Sequence, residues 1–252
     1  MGWIDNHCHL DGEDDPAEVV AAARAAGVEA MVCVGVTVER SEACIRLAQQ
    51  FDDVFATAGV HPHDASGGID GLAELFGRAG GGGGPVAVGE CGLDYHYDNS
   101  PRDAQRKVFA QQIQLAHESG LPLVIHTRDA WDDTFATLDS EGLPGRTVFH
   151  CFTGGPGEAD AALERGALLS VSGIATFPGA VELREAVAGA PLQSLMVETD
   201  SPYLTPVPHR GRPNRPEFVR HVGEEVAALK GVDTAEVAEV TSANARAFYG
   251  IS

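Results

Sequence analysis

Two of the ten histidines in this 252-residue chain frame a cysteine, as His7-Cys8-His9. In an extended strand, residues i and i+2 point to the same face. An H-x-H pair can therefore chelate one metal while Cys8 turns the other way, into a layer of helices. Four more ligand types, Glu90, His126, His150 and Asp200, stand at the ends of short apolar, β-branched runs that read as buried strands. A lone histidine at a strand end is most often structural, and H-x-H alone is a weak signal. Six ligand types at the ends of five strands are hard to account for as core or as surface. Four imidazoles and two carboxylates are too many for one tetrahedral ion and suit two divalent ions with a shared bridge. Two such ions, roughly 3.5–4 Å apart, can activate a bridging water and clamp both oxygens of an in-line phosphoryl displacement. Imidazole-rich ligation favours Zn²⁺, Mn²⁺, Co²⁺ or Ni²⁺ over Mg²⁺.

The elements that must position these residues alternate along the chain. Strand-like runs occur at Trp3–His7, Ala30–Gly35, Val54–Val60, Val86–Glu90, Leu123–His126, Thr147–Cys151, Leu168–Val171 and Leu195–Asp200. Helical spacing fills the intervals. Pro16–Ala26 follows an acidic cap region, and Arg40–Phe51 places Cys44, Leu47, Ala48 and Phe51 on one face. Arg102–Ser119 offers Val108, Ile113, Leu115 and Ala116 to the core; Gly120 then stops it and Pro122 opens the next strand. Eight alternations in about 250 residues predict a single (β/α)₈ TIM barrel spanning residues 1–252, whose catalytic residues gather at the C-terminal strand ends. The rival, a doubly wound open sheet, lacks a G-x-G-x-x-G after its first strand.

Composition narrows the rest. Seventeen Lys and Arg against 37 Asp and Glu give a formal charge of −20, which repels nucleic acid at long range. Polyanion binding must then come from a local positive site, and two divalent ions facing two carboxylates supply one. The cysteines (Cys8, Cys33, Cys44, Cys91, Cys151) are odd in number and form no C-x-x-C, which argues against a disulfide framework or a zinc knuckle. Cys91 and Cys151, each next to a ligand, are expected to be buried thiols turned away from the metals. No apolar run approaches the roughly 18 residues of a membrane helix, and Met1–Asp5 does not open a signal peptide. A soluble, cytoplasmic protein with no stable protein partner is the expectation. Gly80–Gly84 leads into a strand rather than a helix, so it reads as a flexible connector and not as a phosphate loop.

Six segments, in order, carry a family resemblance: Asp5-Asn6-His7-Cys8-His9-Leu10-Asp11, Gly59-Val60-His61-Pro62-His63, Gly89-Glu90-Cys91-Gly92-Leu93-Asp94-Tyr95, Ile125-His126-Thr127-Arg128, His150-Cys151-Phe152-Thr153-Gly154 and Glu198-Thr199-Asp200-Ser201-Pro202-Tyr203-Leu204. Together they closely resemble the TatD family of metal-dependent deoxyribonucleases, from about Ile4 to Tyr249. The resemblance implies a two-metal hydrolase of phosphodiesters, trimming single-stranded DNA (or RNA) from the 3′ end with a metal-activated water. It implies His7, His9, Glu90 and Asp200 on the first ion, and Glu90 bridging to a second ion completed by His126 and His150. Asp200 would also orient or deprotonate the water. The family is commonly associated with Mg²⁺, so Mg²⁺ joins Mn²⁺, Zn²⁺, Co²⁺ and Ni²⁺ among the candidate ions.

Candidate substrate contacts are His61, Arg128, Arg210 and Asn214, with His63 expected to cap its loop. Arg128 and Asp94 could instead support the ligands from behind. The family's loop after the last strand resembles Arg-Gly-Lys-Arg-Asn-Glu-Pro; here it reads Arg210-Gly211-Arg212-Pro213-Asn214-Arg215-Pro216, and Arg215 exchanges an acid for a base. With His209 the loop concentrates positive charge where barrels often bind phosphate. Two alternatives are open at this point. One is ester or amide hydrolysis on the same barrel, such as D-aminoacyl-tRNA deacylation, since an activated water attacks phosphorus or carbonyl carbon alike. The other is a non-catalytic nucleic-acid or protein binder, against which six intact ligands count strongly.

Overall fold

The structure is a computed structural model that describes residues 2–77 and 83–251. Of the glycine run, Gly80–Gly82 lie outside the described residues. The eight strands are β1 (Trp3–Cys8), β2 (Val28–Cys33), β3 (Val54–Ala58), β4 (Ala87–Asp94), β5 (Leu123–Arg128), β6 (Thr147–Phe149), β7 (Leu168–Val171) and β8 (Leu195–Val197). They follow chain order in one sheet. This is the (β/α)₈ fold class expected from the alternation. Its helices are α1 (Pro16–Ala25), α2 (Val38–Ala48), α3 (Leu72–Phe76), α4 (Arg102–Ser119), α5 (Trp131–Glu141), α6 (Pro156–Glu164), α7 (Val181–Gly189), α8 (Val219–Lys230) and α9 (Thr234–Tyr249). Among the described residues no helix is long and apolar enough to cross a membrane.

Contacts group the chain into two compact units, one formed by residues up to Val32 together with those from His150 onward, the other by Cys33–Phe149. In the first unit, Cys8 bridges in parallel to Ser201, so the end of β1 meets the chain just past β8. Helix α9 packs on both strands. Its Tyr249 hydroxyl donates to the Asn6 carbonyl at 3.0 Å, and Asn244 Nδ2 donates to the Leu195 carbonyl at 2.8 Å. The expected eighth strand, Leu195–Asp200, is shorter in the structure. Beyond Val197 the chain is held by buried side chains instead of a regular ladder: Asp5 accepts from the Thr199 N–H and hydroxyl at 2.8 and 2.5 Å. Asp200 then turns into the left-handed region, φ 55°.

In the second unit β3, β4, β5 and β6 pair in parallel. Strand β4 runs past its expected end at Glu90, because Cys91–Asp94 pair with Ile125–Arg128. Between Val88 and Cys91 the register slips, and β4 carries one more residue than β5 there. Glu90 therefore sits at an irregularity inside the strand, a device that re-aims a side chain. The long helix α4 has its expected bounds, and Gly120 closes it at φ 67°. Its Val108, Ile113, Leu115 and Ala116 are buried as expected, but so are Gln105 and Gln112. Each glutamine forms a two-way clip to a backbone. Gln112 accepts from Val60 N at 2.8 Å and donates to Val60 O at 2.9 Å. Gln105 does the same to Asp94 at 2.8 and 3.1 Å. Helix α2 starts at a Thr37 cap that accepts from Arg40 N, and it ends before Phe51, which was expected on its buried face.

Candidate metal centre

In the first unit, alternation along β1 turns His7 and His9 to one side. Their rings lie edge to face, 5.3 Å apart. Cys8 points the other way, fully buried, with its Sγ 3.4 Å from the Val32 carbonyl. The Asp200 Oδ1 lies 3.4 Å from His9 Nε2 and 3.8 Å from His7 Nε2. Burial alone would raise the Asp200 pKa, but the hydrogen bond from His9 and the charges of His7, His9 and His150 hold it below the usual carboxylate value. His150, one residue past β6, stacks on His7 at 3.8 Å and 11°. His7, His150 and Asp200 each offer one ligand atom, all within 4.8 Å of one another.

A buried carboxylate stands behind this group. Glu198 Oε1 lies 3.2 Å from His150 Nδ1 and accepts from the Cys151 N–H at 2.8 Å. Its other oxygen accepts from the Ser170 hydroxyl. Accepting at Nδ1 fixes the His150 tautomer and puts the ring's lone pair on Nε2, the nitrogen that could face a metal. Asp5, two residues before His7, is pushed up to about 8 by burial, against the two bonds from Thr199.

In the second unit, His61, Glu90 and His126 form another such group within the same 4.8 Å limit. Glu90 Oε1 is 3.1 Å from His126 Nδ1 and 3.4 Å from His61 Nε2. Asp94 Oδ2 lies 3.1 Å from both His126 Nε2 and His63 Nε2, while its Oδ1 accepts from the backbone N–H of His96 and Tyr97. Burial opposes the charge on Asp94, yet these donors and His126 hold its pKa far below the usual range. Asp94 thus holds the rings of His126 and His63 through one oxygen. Burial brings His61 down to about 4, so its ring is neutral near pH 7.

Two sequence expectations are corrected, for His63 and Cys151, and two features of the site, at His61 and Glu198, were not foreseen. The loop cap expected of His63 is made by His61, whose Nδ1 accepts from the His63 N–H at 3.1 Å; the His63 ring serves Asp94 instead. His61, expected as a substrate contact, also stands beside Glu90, a place among the ligand types that the sequence did not reveal. The signal was in Gly59-Val60-His61-Pro62-His63, but nothing in that spacing says which carboxylate each ring meets. Glu198, within Glu198-Thr199-Asp200, was passed over because a buried partner is invisible until the strands pair. Cys91 is buried, and burial pushes its thiol up, but Cys151 is partly exposed, at φ 41° with Sγ 3.3 Å from the Ser172 hydroxyl.

The remaining candidates lie apart from these hydrogen bonds. Arg128 sits over the Tyr97 ring at 4.8 Å. Arg210 sits over Phe177 at 4.1 Å and donates to the Thr205 carbonyl. Asn214 is fully buried, its amide donating to the Thr199 and Tyr203 carbonyls at 2.8 and 2.6 Å. It ties down the loop after β8 from within. Arg215, where the family pattern has an acid, reaches Glu18 at 3.5 Å.

Two clusters of imidazole and carboxylate on a parallel (β/α)₈ scaffold define a metal-dependent hydrolase. A sequence model described as TatD related DNase matches residues 4–250, and the chain belongs to that family. It is 42% identical to the uncharacterised metal-dependent hydrolase YcfH of Escherichia coli K12, covering 99% of this chain and 96% of that protein. It is 37% identical to the 3′-5′ ssDNA/RNA exonuclease TatD of Klebsiella pneumoniae, covering 94% and 92%. Among solved structures, the crystal structure of YjjV, a TatD homologue from Escherichia coli K12, superposes with a TM-score of 0.92 at 28% identity, covering 99% of this chain and 98% of that one.

Proposed function

We propose that this protein hydrolyses phosphodiester bonds of single-stranded nucleic acid, DNA first and RNA second, from the 3′ end. Two divalent ions per chain would be held by His7, His9, Glu90, His126, His150 and Asp200, with Glu90 as the bridge. The observation that carries the reading is the donor set itself: buried imidazole nitrogens and carboxylate oxygens within ligand distance of one another, each cluster with its own supporting carboxylate. Such a set fits Zn²⁺, Mn²⁺, Co²⁺ or Ni²⁺ on ligand chemistry and admits Mg²⁺ through its carboxylates. When bound, the ions would supply charge neutralisation at the phosphate and acidify the attacking water.

The chain's own residues do the rest. Glu198 and Asp94 orient His150 and His126 by accepting at one nitrogen of each ring. Asp200, kept in its charged form by the neighbouring imidazoles, takes the proton of the attacking water. Arg128 and Arg210, with His61, are the candidate phosphate contacts. Kinship with relatives named as 3′-5′ ssDNA/RNA exonucleases supports the polarity and strand preference. Five free cysteines fit a reducing compartment, and a cytoplasmic location belongs to the same reading.

The test is a panel of 3′- and 5′-end-labelled single-stranded DNA, duplex DNA and RNA oligonucleotides with each metal, beside a D-aminoacyl-tRNA. Stepwise loss of 3′ nucleotides from single strands is expected. Release of the amino acid without strand cleavage would replace this reading by ester hydrolysis on the same barrel.

A further inference from the structure

The loop after β8 and helix α8 bring together two histidines that neither strand-end cluster uses. His209 Nε2 lies 3.1 Å from His221 Nε2. With metal–nitrogen bonds of about 2.0–2.1 Å, two nitrogens so spaced subtend about 100° at a shared ion, between octahedral and tetrahedral angles. His221 Nδ1 is 2.8 Å from Glu224 Oε2, so Nδ1–H donates to the carboxylate and the Nε2 lone pair faces His209. The other Glu224 oxygen accepts from Arg220 at 3.4 Å, which fixes the carboxylate. The His209 ring is stacked on Phe218 at 4.1 Å and 8°. Burial, then the charges of His221 and Arg212, lower the His209 pKa, which favours the neutral ring.

We propose that His209 and His221 form a separate metal site, a two-imidazole clamp for one borderline transition ion such as Zn²⁺, Ni²⁺ or Cu²⁺. Solvent fills the remaining positions, and Glu224 is the carboxylate that orients His221. Mg²⁺, which takes oxygen ligands, is excluded by the donor set. Without an ion, the same separation accommodates a hydrogen bond in which His209 Nε2–H donates to His221. Added metal displaces that proton, and this separates the two states experimentally.

The experiment adds Ni²⁺ alone to the full chain, removes excess by gel filtration and counts bound ions by elemental analysis. Wild type should carry one more Ni²⁺ per chain than His209→Ala or His221→Ala, and Glu224→Gln should weaken uptake about 10–100-fold. The same difference of one ion should persist in a His126→Ala background, which separates the clamp from the strand-end ions and from the nuclease reading. Should His221→Ala fail to unfold cooperatively, His209→Ala on the loop and Glu224→Gln carry the test. Equal Ni²⁺ uptake by wild type, His209→Ala and Glu224→Gln overturns the proposal and leaves a direct hydrogen bond between the two rings.

Discussion

Asp94 accepts from His126 and His63 through one oxygen, so its charge orients two rings at once. His126→Ala should remove one ion per chain by elemental analysis while the His7, His150 and Asp200 group keeps its own. Asp94→Asn leaves every ligand in place and should only weaken that ion, by about 10–100-fold, as loss of a supporting carboxylate does. Unchanged occupancy of two ions in His126→Ala would remove His126 from the ligand set. Asp200 calls for a different measurement, because it is assigned both ligation and proton transfer. An amide oxygen still coordinates, weakly, but cannot act as a base. Asp200→Asn, assayed at saturating metal with occupancy confirmed by Co²⁺ absorption, should lower turnover about 10²–10⁴-fold, with a much smaller change in KM. Turnover near wild type would leave Asp200 as a ligand only and pass the base role to Glu90.

At the scale of elements, β4 holds both Glu90 and Asp94, and its close approach to β5 depends on a glycine between them. A Cβ on Gly92 would sit 2.0 Å from the His126 carbonyl oxygen, at a φ of 136° that side chains rarely adopt. Gly92→Ala should therefore cost roughly 3 kcal/mol or more, strain and overpacking combined. Gly120→Ala, at φ 67° with open space around it, should cost only about 1 kcal/mol for the left-handed backbone. Denaturant melts of the pair check this, and equal losses would mean that β4 and β5 separate easily. Helix α4 was readable to the residue because Gly120 and Pro122 punctuate it. That His7 and His9 share one side of β1, opposite Cys8, was readable because period-2 alternation fixes the side of a strand. The ends of β4 and β8 were not: one is set by pairing with β5 and the other by Asp5, a residue nearly two hundred positions away. Nor could Gln105 and Gln112 be recognised as clips, since polar residues on a helix normally face water and their targets are backbone groups, of Asp94 at the end of β4 and of Val60 just past β3.

The charge of −20 belongs to the whole chain and pulls against the proposed substrate. Basic nucleic-acid binders release counterions from phosphate, so their affinity drops steeply as salt rises. Here only two lysines and fifteen arginines face 37 acids, and several of the arginines are already paired, Arg102 with Asp98, Arg106 with Asp133 and Arg184 with Glu225. The net charge makes the long-range field repulsive toward a polyanion, while the proposed ions, Arg128 and the arginines of the loop after β8 would supply local attraction. At 0.1 M salt the Debye length is about 10 Å, which screens the distant acids but leaves contacts inside the site largely intact. With saturating divalent metal, kcat/KM on single-stranded DNA should therefore stay level or rise as monovalent salt goes from 10 to 100 mM, the reverse of a basic nuclease. The rise should be larger for a long oligonucleotide than for a dinucleotide, because more phosphates lie within reach of the repulsive surface. A drop of tenfold or more over that range would show that Arg210 and Arg212 make several phosphate contacts. The double variant Arg210→Ala, Arg212→Ala would then lose most of that salt dependence.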